Sequence, residues 1–173
     1  MMNNRCFVST LDKGQDILKK LKDESLSLDV FQFSKLISYL EKEGEYLPEN
    51  FKRDFIRESL DHFFKCWMGF RNLDIQNVFN VLDKETIRDL ISFFKETVFY
   101  PSDNFILKKI LMITVLYSVI KKIPIHPINI RFPGGKKIYE RDGSYYCPVK
   151  DKHQYDPFAL CRFCIAKPDN FKE

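Results

Sequence analysis

The sequence predicts a mainly α protein, a helical bundle of about six helices followed by a small C-terminal β-hairpin-plus-helix metal-binding module. Three observations lead there. Apolar residues recur at helical spacing through the first two-thirds of the 173 residues. The texture breaks at Ile123, where IPIHPINIRFPGGKK crowds three prolines and two glycines into fifteen residues and excludes helix. Beyond the break, Cys147, Cys161 and Cys164 cluster in a segment with little apolar bulk. The expected division is therefore 1–122 as bundle and 123–173 as a Cys-rich hairpin/helix module docked on it.

The elements follow in order. A short helix is expected over about Leu11 to Lys22. Ser27 is placed to cap a second, whose apolar positions Val30, Phe33, Leu36, Ile37 and Leu40 share a face. Glu43-Gly44 ends it, with glycine expected in the left-handed conformation. Pro48 suits the first turn of a third helix running to about Met68. Its polar sector holds Asp54, Arg57, Asp61 and Lys65, and its wide apolar face holds Phe55, Ile56, Leu60, Phe63, Phe64 and Trp67. A fourth helix covers about Leu73 to Leu82. Asp83 caps a fifth, with Ile87, Leu90, Ile91, Phe94 and Val98 on one side, stopped at Tyr100-Pro101. Ser102 or Asp103 starts a sixth, running to about Lys122, which from Ile110 onward is apolar nearly all round and so belongs at the centre. In the module, Asp142-Gly143 between β-favouring residues predicts a hairpin. Asp156-Pro157 predicts the start of a short helix, PFALCRFCIA.

Composition narrows the class. Seventeen Phe and 8 Tyr exclude a disordered chain, and only 6 Gly and 8 Pro exclude collagen-like or linker sequences. Five Cys, an odd number, do not fit a secreted disulfide scaffold. The first residues show no signal-peptide core, and the longest apolar run, Ile110 to Ile120, is too short for a membrane span. The expectation is a soluble cytoplasmic protein with reduced thiols and no membrane partner. From Lys121 onward 11 Lys and Arg stand against 6 Asp and Glu, so the net charge of +4 is carried by the last third. A solvated surface explains this small excess; a nucleic-acid surface is the sharper alternative.

The cysteines carry the chemistry. Cys161 and Cys164, three apart at the start of the predicted last helix, would share a face, and the helix N-terminus would favour their thiolates. Cys147 leaves the hairpin opposite them. Three thiolates need a fourth ligand for a closed tetrahedral zinc site, and His126 or His153 would supply it. His126 is preferred because Pro124 and Pro127 restrict its backbone and it would tie the bundle exit to the module. The same cysteines also suit an iron–sulfur cluster, or a redox or packing role. Phe132–Lys137 reads as a plain turn more readily than as a phosphate cradle, since it lacks the length and helix of a P-loop. His62 and Cys66, four apart on the third helix, read as core packing. Tyr145, Tyr146 and Phe163 interleave with Lys136, Lys137, Arg141, Lys150 and Arg162, a mixture that would suit weak nucleic-acid stacking. No nucleophile elbow, HExxH or GxGxxG is present. The reading is a non-enzymatic binding or accessory protein with a structural metal, its partner a protein or, weakly, nucleic acid.

The HP pair at His126-Pro127, FPGG at Phe132–Gly135, YYCPVK at Tyr145–Lys150 and ALCRFC at Ala159–Cys164 resemble the signature of a small uncharacterised family of methanogenic archaea, a domain of unknown function. The motifs cover roughly the last 50 residues. The resemblance implies an archaeal cytoplasmic protein and no particular activity. It also implies that the His153 position often holds Gln, which favours His126 as the ligand.

Overall fold

The computed structural model describes residues 14–75, 78, 84–97, 105–128, 130–132, 135–153, 155–156 and 159–169, without the side chains of Gln15, Ile17 and Lys84. Helices dominate: α1 Gly14–Ser27, α2 Lys35–Glu43, α3 Glu49–Arg71, α4 Lys84–Glu96 and α5 Phe105–Lys121. The C-terminal part adds β1 Tyr139–Arg141, β2 Ser144–Cys147, a single turn α6 Lys150–His153, a 3-10 turn Leu160–Phe163 and β3 Lys167–Pro168.

α5 is the centre, as its all-round apolar sequence requires. Residues 107 and 110–116 are all buried along it, with Ser118 closing the stretch. α3 packs along it and buries Phe55, Phe63, Cys66, Trp67 and Phe70. The Trp67 indole N–H donates to the Ser25 carbonyl at 2.9 Å, joining α3 to α1. The expected polar sector of α3 is solvated and internally paired, Arg57 with Asp54 at 2.9 Å and Lys65 with Asp61 at 2.6 Å. No helix among the described residues is long and apolar enough to cross a membrane.

Several boundaries differ from expectation. Ser27 does not cap the second helix; α1 runs through to it, and its hydroxyl donates to the Glu24 carbonyl. Asp29 is the cap instead, forming a reciprocal capping box with Gln32 over a 3-10 turn, Val30–Ser34, that precedes α2. The Asp side chain and the Gln three residues on are the stronger signature. Gly44 does end α2, but at φ −94° it is not left-handed. Its smallness serves packing, since a Cβ there would lie 3.2 Å from both the Leu40 carbonyl and the Phe55 ring. Of the expected fourth helix, Leu73 and Asp74 are not helical and Ile75 and Val78 are helical and buried; residues 76, 77 and 79–82, the Asp83 cap, the Tyr100-Pro101 stop and the Ser102/Asp103 start lie outside the described residues.

α5 ends with Lys122 left-handed at φ 53° and the Ile123 N–H bonded back to the Ser118 carbonyl, a Schellman-type stop made without glycine. The chain then turns into the hairpin. Asp142 and Gly143 both have positive φ, 51° and 69°, the pair a type I′ turn demands. β1 and β2 pair antiparallel, with Tyr139 opposite Tyr146. β3, not expected from sequence, adds to β2 in parallel through Tyr146–Lys167 and Cys147–Pro168. The expected last α-helix is a 3-10 turn of four residues, with Cys164 already extended at its end. Ile125, Ile130, Ile138, Leu160 and Ala166 share one core with the helices. Phe163 meets Phe93 of α4 edge-on at 5.2 Å, with the Arg162 guanidinium over both rings.

Candidate functional site

The end of β2, the first turn of α6 and the 3-10 turn bring Cys147, Cys161 and Cys164 into one corner, close enough for their charges to act on one another. Cys147 is buried and anchored through its backbone, its carbonyl accepting the Asp169 N–H at 3.2 Å. The chain bends sharply at Pro148, so the backbone N–H groups of Val149 and Lys150 turn back to face the Cys147 sulfur. Burial pushes this thiol up all the same, and the two amides work against that shift. The Cys161 thiol is pushed up to about 12, by burial first and then by Cys164, while Lys150 opposes. The Cys164 N–H closes the turn onto the Cys161 carbonyl at 3.1 Å.

This corrects the electrostatics expected from sequence. No helix N-terminus lies under the Cys161–Cys164 pair, because a four-residue 3-10 turn ending at Cys164 has replaced the helix. Burial therefore decides the outcome, and Cys161 is a protonated thiol at neutral pH. Nor is the expected Cys3His cage formed: among the described residues, no three His, Cys, Asp or Glu side chains stand where they could hold a metal ion.

Other groups border the corner that sequence reasoning did not place there. Lys150 is 7% exposed. Its ammonium donates to the Cys161 carbonyl and, at 3.0 Å, to the Cys164 carbonyl. Tyr39 of α2 is raised well above its usual range by burial, then by Glu43 and Cys161. The Glu43 carboxyl is raised too, by desolvation first and then by Asp156 and Glu45. A lysine two residues after the Cys147-Pro148 bend was the available signal for the first; nothing in the sequence joins α2 to the cysteines.

The three histidines of the chain gather at the bundle exit. The His62 ring engages the backbone carbonyls of Ile125 and Pro124 and lies 3.6 Å from the Cys66 sulfur. His126, half-buried, has His62, His153 and Lys150 as its charged neighbours. His153 is exposed. Cys66 is core packing as expected, 1% exposed with its thiol pushed up to about 12 by burial. Burial, followed by those cationic neighbours, lowers His126 to about 4. An ordinary unfolded histidine titrates near 6.5. Between these values the unfolded chain takes up the proton and the folded one refuses it, so stability is lost as pH falls. The protein should lose on the order of 3 kcal/mol from this histidine between pH about 6.5 and about 4. Urea titrations of parent and His126→Gln at a series of pH values check this: the variant's stability should fall less steeply, and parallel curves would contradict it.

The remaining candidates resolve simply. Gly135 at φ 75° and the Phe132 N–H bond to the Lys136 carbonyl make a plain turn; Pro133 and Gly134 lie outside the described residues. Tyr139 and Tyr146 stack on one another at 5.4 Å, and the Tyr139 hydroxyl bonds to Asp169.

A family model described as an uncharacterized protein conserved in archaea (DUF2115) matches residues 13–169. A UPF0305 protein of Methanococcus maripaludis strain C5 is 33% identical over 162 residues, covering 91% of this chain and 98% of the relative. One from Methanocaldococcus jannaschii is 29% identical over 159 residues, covering 90% and 96%. One from Methanothermobacter thermautotrophicus is 30% identical over 161 residues, covering 89% and 95%. No solved structure matches. The match takes in the helices as well as the cysteine corner, and on its strength the chain belongs to the uncharacterised archaeal DUF2115 family, with UPF0305 relatives in methanogens.

Proposed function

We propose that Cys147, Cys161 and Cys164 bind a structural zinc ion in an accessory or binding protein, with His126 completing the set. The observation that carries this reading is the Cys147 sulfur receiving two backbone N–H groups across a Cys-Pro bend, beside a Cys-x-x-Cys turn. Amide donors on sulfur favour the thiolate that a metal requires, whereas a cysteine serving only to pack gains nothing from them. The high thiol range of the metal-free protein means that binding must displace protons, so affinity should weaken in acid. No cage stands ready among the described residues, so this reading requires the sulfurs to close on the ion as it binds.

Titration of the oxygen-free protein with Co2+ tests this reading. Thiolate-to-cobalt charge-transfer absorption should grow and saturate at about one equivalent, the behaviour of a single tetrahedral site. His126→Ala should weaken binding far more than His153→Ala. Absence of the charge-transfer band would overturn the site, and the opposite order of the two variants would overturn the choice of ligand. An iron–sulfur centre on the same cysteines is the second reading, marked by a brown protein with visible absorption.

A further inference from the structure

Strand alternation sorts the side chains of the three-stranded sheet onto two faces. Ile138 and Cys147 are buried in the core, and Tyr145 packs against it. Tyr139, Arg141, Ser144 and Tyr146 therefore stand on the other face, with Tyr139 directly opposite Tyr146 and Arg141 opposite Ser144. Lys137 continues the same alternation two residues before Tyr139; it is exposed and bridges to Arg131, also exposed. β3 completes the face by setting Lys167 beside Tyr146, where the Lys167 ammonium donates to the Ser144 hydroxyl at 3.0 Å. Four cations from separate stretches of chain thus surround two half-buried tyrosines.

We propose that this outer face of the sheet binds single-stranded nucleic acid. It is independent of any metal, because Cys147 lies on the opposite face. The carboxylates beside it are already engaged. Asp169 accepts from the Tyr139 hydroxyl at 3.0 Å, and Asp142 lies 3.6 Å from the Arg141 guanidinium. No carboxylate pairs with Arg131, Lys137 or Lys167 among the described residues. Their charge calls for a polyanion, and the tyrosines narrow which one. The two rings stack at 5.4 Å with 21° between their planes, and the bond to Asp169 holds the pair in place. A base that extends this stack meets aromatic surface already ordered, so little side-chain freedom is lost. Phosphates reach the flanking lysines and arginines at the same time. An acidic protein would satisfy the cations but not the rings. A duplex presents phosphates but keeps its bases stacked on one another.

The test uses the full chain and the fluorescence anisotropy of labelled oligonucleotides of about 12 nucleotides, as an RNA strand, a DNA strand and a DNA duplex of one sequence. The strands should bind with Kd on the order of 1–100 μM at low salt. Three or four phosphate contacts give a log–log salt slope of about −2 to −3, so affinity should fall about 20–50-fold between about 50 and 200 mM salt. The double variant Lys137→Gln/Lys167→Gln, changed only at exposed positions, should flatten that slope by about 1.4. Tyr146→Leu keeps apolar bulk and removes the aromatic ring; it should weaken strand binding about 5–150-fold with the slope unchanged. Should thermal melting show that variant unfolded, Tyr139→Leu carries the same expectation. Arg53→Gln, exposed on α3 and outside the sheet, should change neither quantity. The duplex should bind more weakly than either strand, and the RNA and DNA arms show which sugar the face prefers. No binding of either strand at low salt overturns the proposal. So does a folded tyrosine variant with parent affinity, an unflattened slope in the lysine variant, or a duplex bound as tightly as the strands.

Discussion

Cys161→Ser and Cys164→Ser should each cost the protein its tight metal binding and open roughly the last 30 residues to proteolysis, with the helices still folded. In small metal modules the binding energy is folding energy, about 10–16 kcal/mol for structural zinc in peptides, and a serine hydroxyl is a poor substitute for a thiolate. Within that segment, buried Leu160 and Ala166 with partly buried Tyr145, Val149 and Phe163, the last against Phe93, are the apolar anchorage that would remain. Cys66→Ser supplies the control, since Cys66 is buried on α3 and is not one of the proposed ligands. It should lower thermal stability and leave metal content unchanged. Limited proteolysis with mass-spectrometric mapping reads the outcome. Protection of both cluster variants equal to that of the parent would show that packing alone holds this segment.

The second large effect concerns the bundle. Phe70, on the last turn of α3, is 0% exposed. Phe70→Ala should destabilise the protein by about 3–5 kcal/mol, the sum of lost transfer energy and the cavity left behind. Against a typical total of about 5–15 kcal/mol, that is a third or more of the stability. Phe31→Ala is the matched comparison, because Phe31 is 83% exposed and its loss should stay within about 0.5 kcal/mol. Urea midpoints measured under identical conditions separate the two. Similar costs at both positions would contradict the burial pattern.

Long-period signals were legible in the sequence and short-range geometry was not. α3 and α5 could be placed because their apolar residues repeat over many turns, and burial then follows directly. The Asp142-Gly143 turn could be placed because its positive φ values leave few alternatives. The turn at Cys161 could not. Its residues suit a helix, and docking of Phe163 and Arg162 on Phe93 accompanies a tighter 3-10 conformation. β3 was hidden because two residues, one of them proline, give no alternation to read. The cysteine cluster itself was visible from spacing. Its thiol electrostatics were not, since they depend on burial and on Lys150, a residue type ordinarily assigned to the surface.

Elemental analysis of the parent protein purified without oxygen tests the central claim most directly. A structural thiolate site predicts a colourless protein with zinc near one per chain, unchanged by gel filtration and lost only to chelators or acid. A protein that retains no metal above trace levels, or one that is brown and carries iron, would contradict it.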